Sequence, residues 1–199
     1  KKTTKGMVIK LLKVLFKYVL VLLLIIVVVG LLLPQDYRVS KHVEINANTS
    51  TIKTLVADFN QWHTWSPWQQ VDPTIEFIVN EPGAGVGAHQ SWVGKWGYGE
   101  MTITSLSDDE MSFNILLNNE HIIEGTLTFS PQANANIVTC YIEGQSTTLL
   151  ISGYMALVYE YILNNTLELG LNNLKTVAQL SDIQSVANSH DSKNSTSTD

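Results

Sequence analysis

At 199 residues, the chain has room for a membrane segment and one domain with a real core, and a second full domain would not fit. The six lysines before residue 34 stand without an acid and carry +6, so the overall −6 leaves −12 on the remainder. An acidic body of that kind repels phosphate backbones and excludes nucleic acid as a partner. The single cysteine, Cys140, excludes an intrachain disulfide and a cysteine-based zinc site. Its strand-like surroundings, residues 137–142, mark it as a small buried hydrophobe rather than a reactive thiol.

Residues 18–33 form an uncharged apolar run, which as a helix spans roughly 24 Å at 1.5 Å per residue. A hydrocarbon core is ~30 Å thick. Val14, Leu15 and Phe16 supply the missing turn while Lys13 and Lys17 snorkel toward the head groups. A cleaved signal peptide would end in a small-x-small site, whereas this run ends in Leu31-Leu32-Leu33-Pro34. A core helix of a soluble domain would keep a polar face, which is absent here. Residues 1–33 therefore read as a basic cytoplasmic end and a transmembrane helix, a signal anchor of a single-pass protein with the bilayer as its partner. The positive-inside rule places the following domain, residues 34–180, in the periplasm or outside the cell, as in a bacterial inner-membrane protein.

Residues 37–45 alternate, with Tyr37, Val39, Val43 and Ile45 on one face, as a half-buried first strand does. Asn48, Thr49 and Ser50 offer N-caps to a short amphipathic helix carrying Ile52, Leu55 and Val56. A second short helix or turn holds Trp62, Trp65 and Trp68, broken by Pro67. From residue 75 to 145 the period is two, giving strands at 76–80, 88–93, 98–106, 111–117, 122–129 and 136–144, each with one apolar face. A long helix over residues 150–180 shows an apolar stripe through Ile151, Met155, Val158, Ile162, Leu167, Leu171, Leu174 and Ala178. Gly170 inside it costs about 1 kcal/mol against alanine, which close packing would explain. Residues 181–199 are polar and short of large apolar side chains, and are expected to be disordered.

The blocks Ala57-Asp58-Phe59, Trp62, Trp65-Ser66-Pro67-Trp68, Asp72-Pro73, Gly85-Val86-Gly87-Ala88, Trp92, Gly94, Gly97, Gly99, Met101, Ile103 and Leu167-Glu168-Leu169-Gly170-Leu171 with Leu174-Lys175, in this element order, carry a resemblance. They resemble the START and birch-pollen-allergen superfamily, also called SRPBCC, and within it the membrane-anchored bacterial proteins described as polyketide cyclase/dehydrase-like. The resemblance spans roughly residues 34–180. It implies an α+β helix-grip fold: a seven-stranded antiparallel curved sheet, two short helices and a long C-terminal helix, here preceded by one transmembrane helix. It also implies a cavity between sheet and helix, around which Trp62, Trp65, Trp92, Met101, Phe113, Phe129, Cys140, Met155 and Val158 would stand as ligand-binding residues. Relatives often carry Trp in the last strand, so Cys140 there implies an enlarged or reshaped cavity.

Such folds host carriers, receptors and enzymes alike, so chemistry must come from the site. His63, His89, His121, Glu100 and Glu124 are the acid-base candidates, and none belongs to a spaced signature. His89 and Glu100 could face each other across a hairpin, as a catalytic pair or as an exposed cross-strand ion pair. The histidines lack metal-ligand spacing, and the Gly83, Gly85, Gly87 run lacks the Lys-Ser/Thr ending of a phosphate loop, so neither a metal nor a cofactor is expected. The reading that results is a membrane-anchored domain binding a hydrophobic small molecule or lipid. A polyketide cyclase- or hydrolase-like enzyme and a partner-binding domain with a filled core are the alternatives.

Overall fold

The computed structural model describes residues 2–118, 121–133 and 135–195. It opens with α1 (Lys2–Leu32) and continues through β1 (Asp36–Ile45), α2 (Thr49–Ala57), a 3-10 helix (Phe59–Thr64) and α3 (Trp68–Val71). Strands β2 (Glu76–Asn80), β3 (His89–Gly94), β4 (Gly97–Leu106), β5 (Glu110–Leu117), β6 (His121–Pro131) and β7 (Asn136–Gln145) follow, and α4 (Ser152–Ser195) closes the chain. The seven strands form one antiparallel sheet in the order β1-β7-β6-β5-β4-β3-β2, so the meander is completed by β1 pairing with the last strand. This is the expected α+β helix-grip architecture.

The period-two pattern decides which face is covered. Met101 and Ile103, Met111 and Phe113, Ile123, Leu127 and Phe129, and Val138, Cys140 and Ile142 are all buried on the side that meets α4. Each fully buried aliphatic or aromatic side chain of this kind is worth about 1.5–3 kcal/mol. The Gly83–Gly87 loop is turn chemistry: Gly85 and Gly87 take φ of 78° and 85°, a region that favours glycine.

Helix α4 departs from expectation in two ways. Its buried face runs through Ser152, Ala156, Leu163, Thr166, Gly170, Leu171, Leu174 and Ala178. Ile151, Val158 and Ile162, expected on the covered stripe, are exposed, and Met155 is half-buried. The small residues Ser152 and Ala156 take the face toward the sheet, which sets the helix phase there against its large apolar side chains. The helix also continues through Ser195, beyond the expected end at residue 180, and residues 196–199 of the expected disordered tail lie outside the described residues. Asp182 explains part of this, because its Oδ1 accepts hydrogen bonds from Asn48 Nδ2 at 2.6 Å and Thr51 Oγ1 at 3.0 Å. Asn48 therefore spends its side chain on α4, and it makes no side-chain cap on α2.

The stretch Ile9–Leu32 of α1 is long and apolar enough to cross a membrane. Its 24 residues correspond to about 36 Å of helix at 1.5 Å per residue. The domain does not cover it: side chains from Leu11 to Leu32 are largely exposed.

Candidate functional site

The indoles of Trp62 and Trp65 build one wall of a pocket between sheet and α4. Trp62 Nε1 donates to Val56 O at 2.9 Å and Trp65 Nε1 to Leu55 O at 3.0 Å. Both bonds use carbonyls near the C-terminal end of α2, which lack partners within the helix. The two rings meet at 4.7 Å between centroids with their planes tilted by 53°, and Phe59 packs edge-on against Trp62 at 5.1 Å. Pairing between the chain at Asp58 and the glycine loop holds this segment, with Phe59 N donating to Gly83 O and Gly85 N to Ala57 O.

A buried carboxylate anchors the other end of the segment. Asp72 Oδ1 accepts from Thr74 N and Thr74 Oγ1, and its Oδ2 accepts from Lys95 N in the β3–β4 turn. The Thr74 hydroxyl above all, helped by the Thr74 and Lys95 amides and the Lys95 charge, holds this carboxyl below its ordinary value against the opposing effect of burial. The α3 region is thereby fastened to the strand pair that carries Trp92.

The pocket has a volume of about 80 Å3 and is half-open. Trp62, Trp65, Trp92, Met101, Phe113 and Cys140 line it, joined by Ser66, Pro67, Trp68, Phe77, Gln90, Ile115, Leu127, Ile142, Thr166, Leu167, Gly170, Leu171 and Leu174. Three residues expected here lie elsewhere. Phe129 is buried in the core two residues beyond Leu127 on β6, and Met155 and Val158 sit on the first turns of α4, before its lining segment begins at Thr166. Gly170 is a point of close approach: an added Cβ would meet Pro67 Cδ at 3.1 Å, so close packing does account for this glycine.

The lining is almost wholly apolar. Gln90, 2% exposed, turns its Nε2 onto Met101 Sδ at 3.8 Å, and Thr166 Oγ1 donates to Ile162 O at 2.8 Å. Ser66 Oγ is buried without a hydrogen-bond partner. Cys140 is the ionisable side chain in the wall, and burial pushes its thiol up to about 12. Beside the pocket lies a second recess of about 280 Å3, more polar, lined by Phe59, Asn60, His63, Gln69 and Val79 and sharing Trp62, Ser66, Phe77 and Gln90 with the first. His63 donates from Nδ1 to Asn60 O at 2.7 Å, which fixes its tautomer.

The acid-base candidates do not meet in the pocket. His89 and Glu100 pair at 3.3 Å on the opposite face of the sheet, since the neighbours that point inward are Gln90 and Met101. Asn80 Nδ2 donates to His89 Nδ1, leaving Nε2 to donate to the carboxylate. His121 pairs with Thr147 Oγ1 away from the pocket, and Glu124 is exposed. Among the described residues, no group of three or more His, Cys, Asp and Glu could hold a metal ion.

No protein-family model and no curated protein matches the chain. Solved structures do share its fold. Protein MLL2253 from Mesorhizobium loti superposes with a TM-score of 0.55 at 11% identity, over 73% of this chain and 98% of that one. Protein BH1534 from Bacillus halodurans gives 0.52 at 16%, over 71% and 96%. StfQ, the di-domain ARO/CYC from the steffimycin biosynthetic pathway, gives 0.53 at 10%, over 77% of this chain and 52% of its own. This chain thus spans about half the length of that two-domain protein.

Proposed function

We propose that this chain is a membrane-tethered binding module that takes a hydrophobic or amphiphilic small molecule, such as a lipid, between its sheet and α4. The observation that carries the reading is the pocket wall: aromatic and aliphatic side chains around a few polar atoms, as in small-molecule sites generally. The two adjoining recesses suit an amphiphile, with apolar carbon against Trp92, Phe113 and Cys140 and a polar end beside Gln69, Asn60 and His63. Ser66 Oγ, unpartnered and lining both, is a group such a ligand could satisfy. The apolar pocket alone is smaller than the roughly 300–1,000 Å3 of drug-sized sites, and the two recesses together reach the lower end of that range.

A cyclase-like reading has the fold shared with the ARO/CYC protein behind it, and at 10% identity that likeness carries the fold alone. Acid-base catalysis also needs a titrating group within reach of the substrate. In the apolar pocket the candidate is a thiol held neutral by burial. The membrane half of the proposal rests on α1, with its lysine-rich end in the cytoplasm by the positive-inside rule and the domain on the other side.

Titrating the full chain in mild detergent with anilinonaphthalene sulfonate tests the binding claim. Saturable dye emission, with energy transfer from the tryptophans in the wall and competition by a long-chain fatty acid, is expected. Dye binding that does not saturate and is indifferent to the fatty acid would sink it.

A further inference from the structure

The first turns of α4 carry apolar side chains on the face turned away from the sheet. Leu149 is 84% and Tyr161 72% exposed, and Leu150, Ile151, Leu157 and Val158 are exposed with them. Residues 144–159 contain no charged side chain. Beyond Leu163 the exposed positions of the helix are mostly polar, with Asn165, Glu168, Asn172 and Thr176 among them, and the exposed apolar side chains thin out to Leu169, Leu180 and Ile183. Six exposed apolar side chains between Leu149 and Tyr161, in a stretch almost free of charge, call for a partner.

Its position indicates which one. Helix α4 begins against the last turns of α1: a Cβ on Gly153 would lie 2.6 Å from Gly30 O, and Tyr154 donates its hydroxyl to Ile26 O at 3.0 Å. Ile26 lies six residues before the end of α1, about 9 Å along the helix at 1.5 Å per residue, and well inside the apolar stretch Ile9–Leu32. A bilayer that surrounds those turns of α1 therefore also meets the start of α4. The short connection from α1 to β1, with Ser146 N donating to Gln35 O at 2.9 Å, keeps the two elements together. At the same end of the sheet, the β3–β4 turn exposes Trp96 (76%) with Lys95 Nζ 5.0 Å from its ring centre. Tryptophan, tyrosine and lysine are the side chains that favour the membrane–water interface.

We propose that the loop at Leu149–Ile151 and the outward face of α4 through Tyr161 seat in the interfacial layer of the bilayer at the C-terminal end of α1, so that the domain is docked on the membrane rather than hung from it. The proposal rests on α1 spanning the bilayer. Docking sets the orientation of the pocket relative to the lipid surface, because the lining segment of α4 begins at Thr166, just past the seated turns.

Site-specific labelling tests it. Cys140 is buried, so the full-length protein takes a fluorophore selectively at an introduced thiol. Leu149→Cys, Tyr161→Cys, Asn172→Cys and Val19→Cys would be labelled with nitrobenzoxadiazole and reconstituted into phosphatidylethanolamine/phosphatidylglycerol vesicles. Emission at 149 and 161 is expected to be lost to doxyl-labelled lipid and protected from aqueous iodide, with Asn172 showing the reverse. Labels at 149 and 161 that respond like Asn172, while Val19 is quenched by the lipid probe, would overturn docking and leave the anchor standing. Protection of 149 and 161 from both quenchers would mean that protein, such as a second copy, covers the face, and would also overturn it. If Val19 too escapes the lipid probe, the span on which the proposal rests is lost.

Discussion

Replacing Cys140 with leucine sets two opposed effects against each other, and the structure says which should win. The thiol lines an apolar cavity of about 80 Å3. At roughly 24 cal/mol per Å3 of cavity, that space costs the fold up to ~1.9 kcal/mol. Leucine adds apolar carbon worth about 0.8 kcal/mol per buried CH2, whereas overpacking a site without space costs typically 1–3 kcal/mol. Because the space exists beside Cys140, a net gain of about 1–2 kcal/mol is expected, with loss of saturable dye binding. Urea unfolding of the full chain in detergent, followed by tryptophan emission, measures the first effect, and the anilinonaphthalene sulfonate titration the second. A variant destabilised by more than about 1 kcal/mol that binds dye as before would show that the wall is a packed core without usable space, and would refute the reasoning.

Further predictions concern the groups around the pocket. With its thiol raised from 9.0 to about 12, native Cys140 at pH 8 should alkylate with iodoacetamide about 1,000-fold more slowly than an ordinary thiol on thiolate fraction alone, and at the ordinary rate in urea. Native labelling at the free-thiol rate would contradict its burial. Asp72 has a folded value below its ordinary 3.8, so its contribution is present above that value and is lost as pH falls through the folded one. The urea midpoints of wild type and Asp72→Asn should therefore differ at pH 7 and draw together as pH falls below the ordinary 3.8, and a constant gap would refute the assignment. His89→Ala and Glu100→Gln should each change stability by no more than about 0.5 kcal/mol, as substitutions away from the core and its buried polar groups do, and leave dye affinity unaltered. A tenfold affinity loss in either would reopen the catalytic reading. Trp65→Phe removes the donor to Leu55 O and should cost about 1–3 kcal/mol by leaving a buried acceptor unpaired, checked by the same unfolding assay.

The sheet was readable in the sequence because alternation by two leaves little freedom: the inward sets on β4, β5, β6 and β7 fall where Met101, Phe113, Leu127 and Cys140 require them. The phase of α4 was not. Large apolar residues usually mark the buried side of a helix, and here Val158 and Ile162 lie on the outside while Ser152 and Ala156 face the sheet. The inversion is itself informative, since it coincides with the contact to α1. In the pocket, Trp62, Trp65, Trp92 and Phe113 stand where the sequence leads one to expect them, whereas Trp68 and Phe77 join the wall unannounced, and Gln90 and Ser66 carry no pattern that separates them from surface residues. Gly170 did signal a close approach through its cost in a helix, although its partner, Pro67, is a matter of tertiary structure. Residues after Leu180 are mostly polar, and the contact of Asp182 with Asn48 and Thr51 has no signal in the sequence.

The binding claim is tested most directly by mass spectrometry of organic extracts from the full-length protein, purified from membranes in mild detergent beside Cys140→Leu. A recurrent hydrophobic species near one per chain is predicted in the wild-type extract, and its loss in the filled variant. The same extract from both proteins, or none from either, would contradict the claim that this pocket holds a ligand.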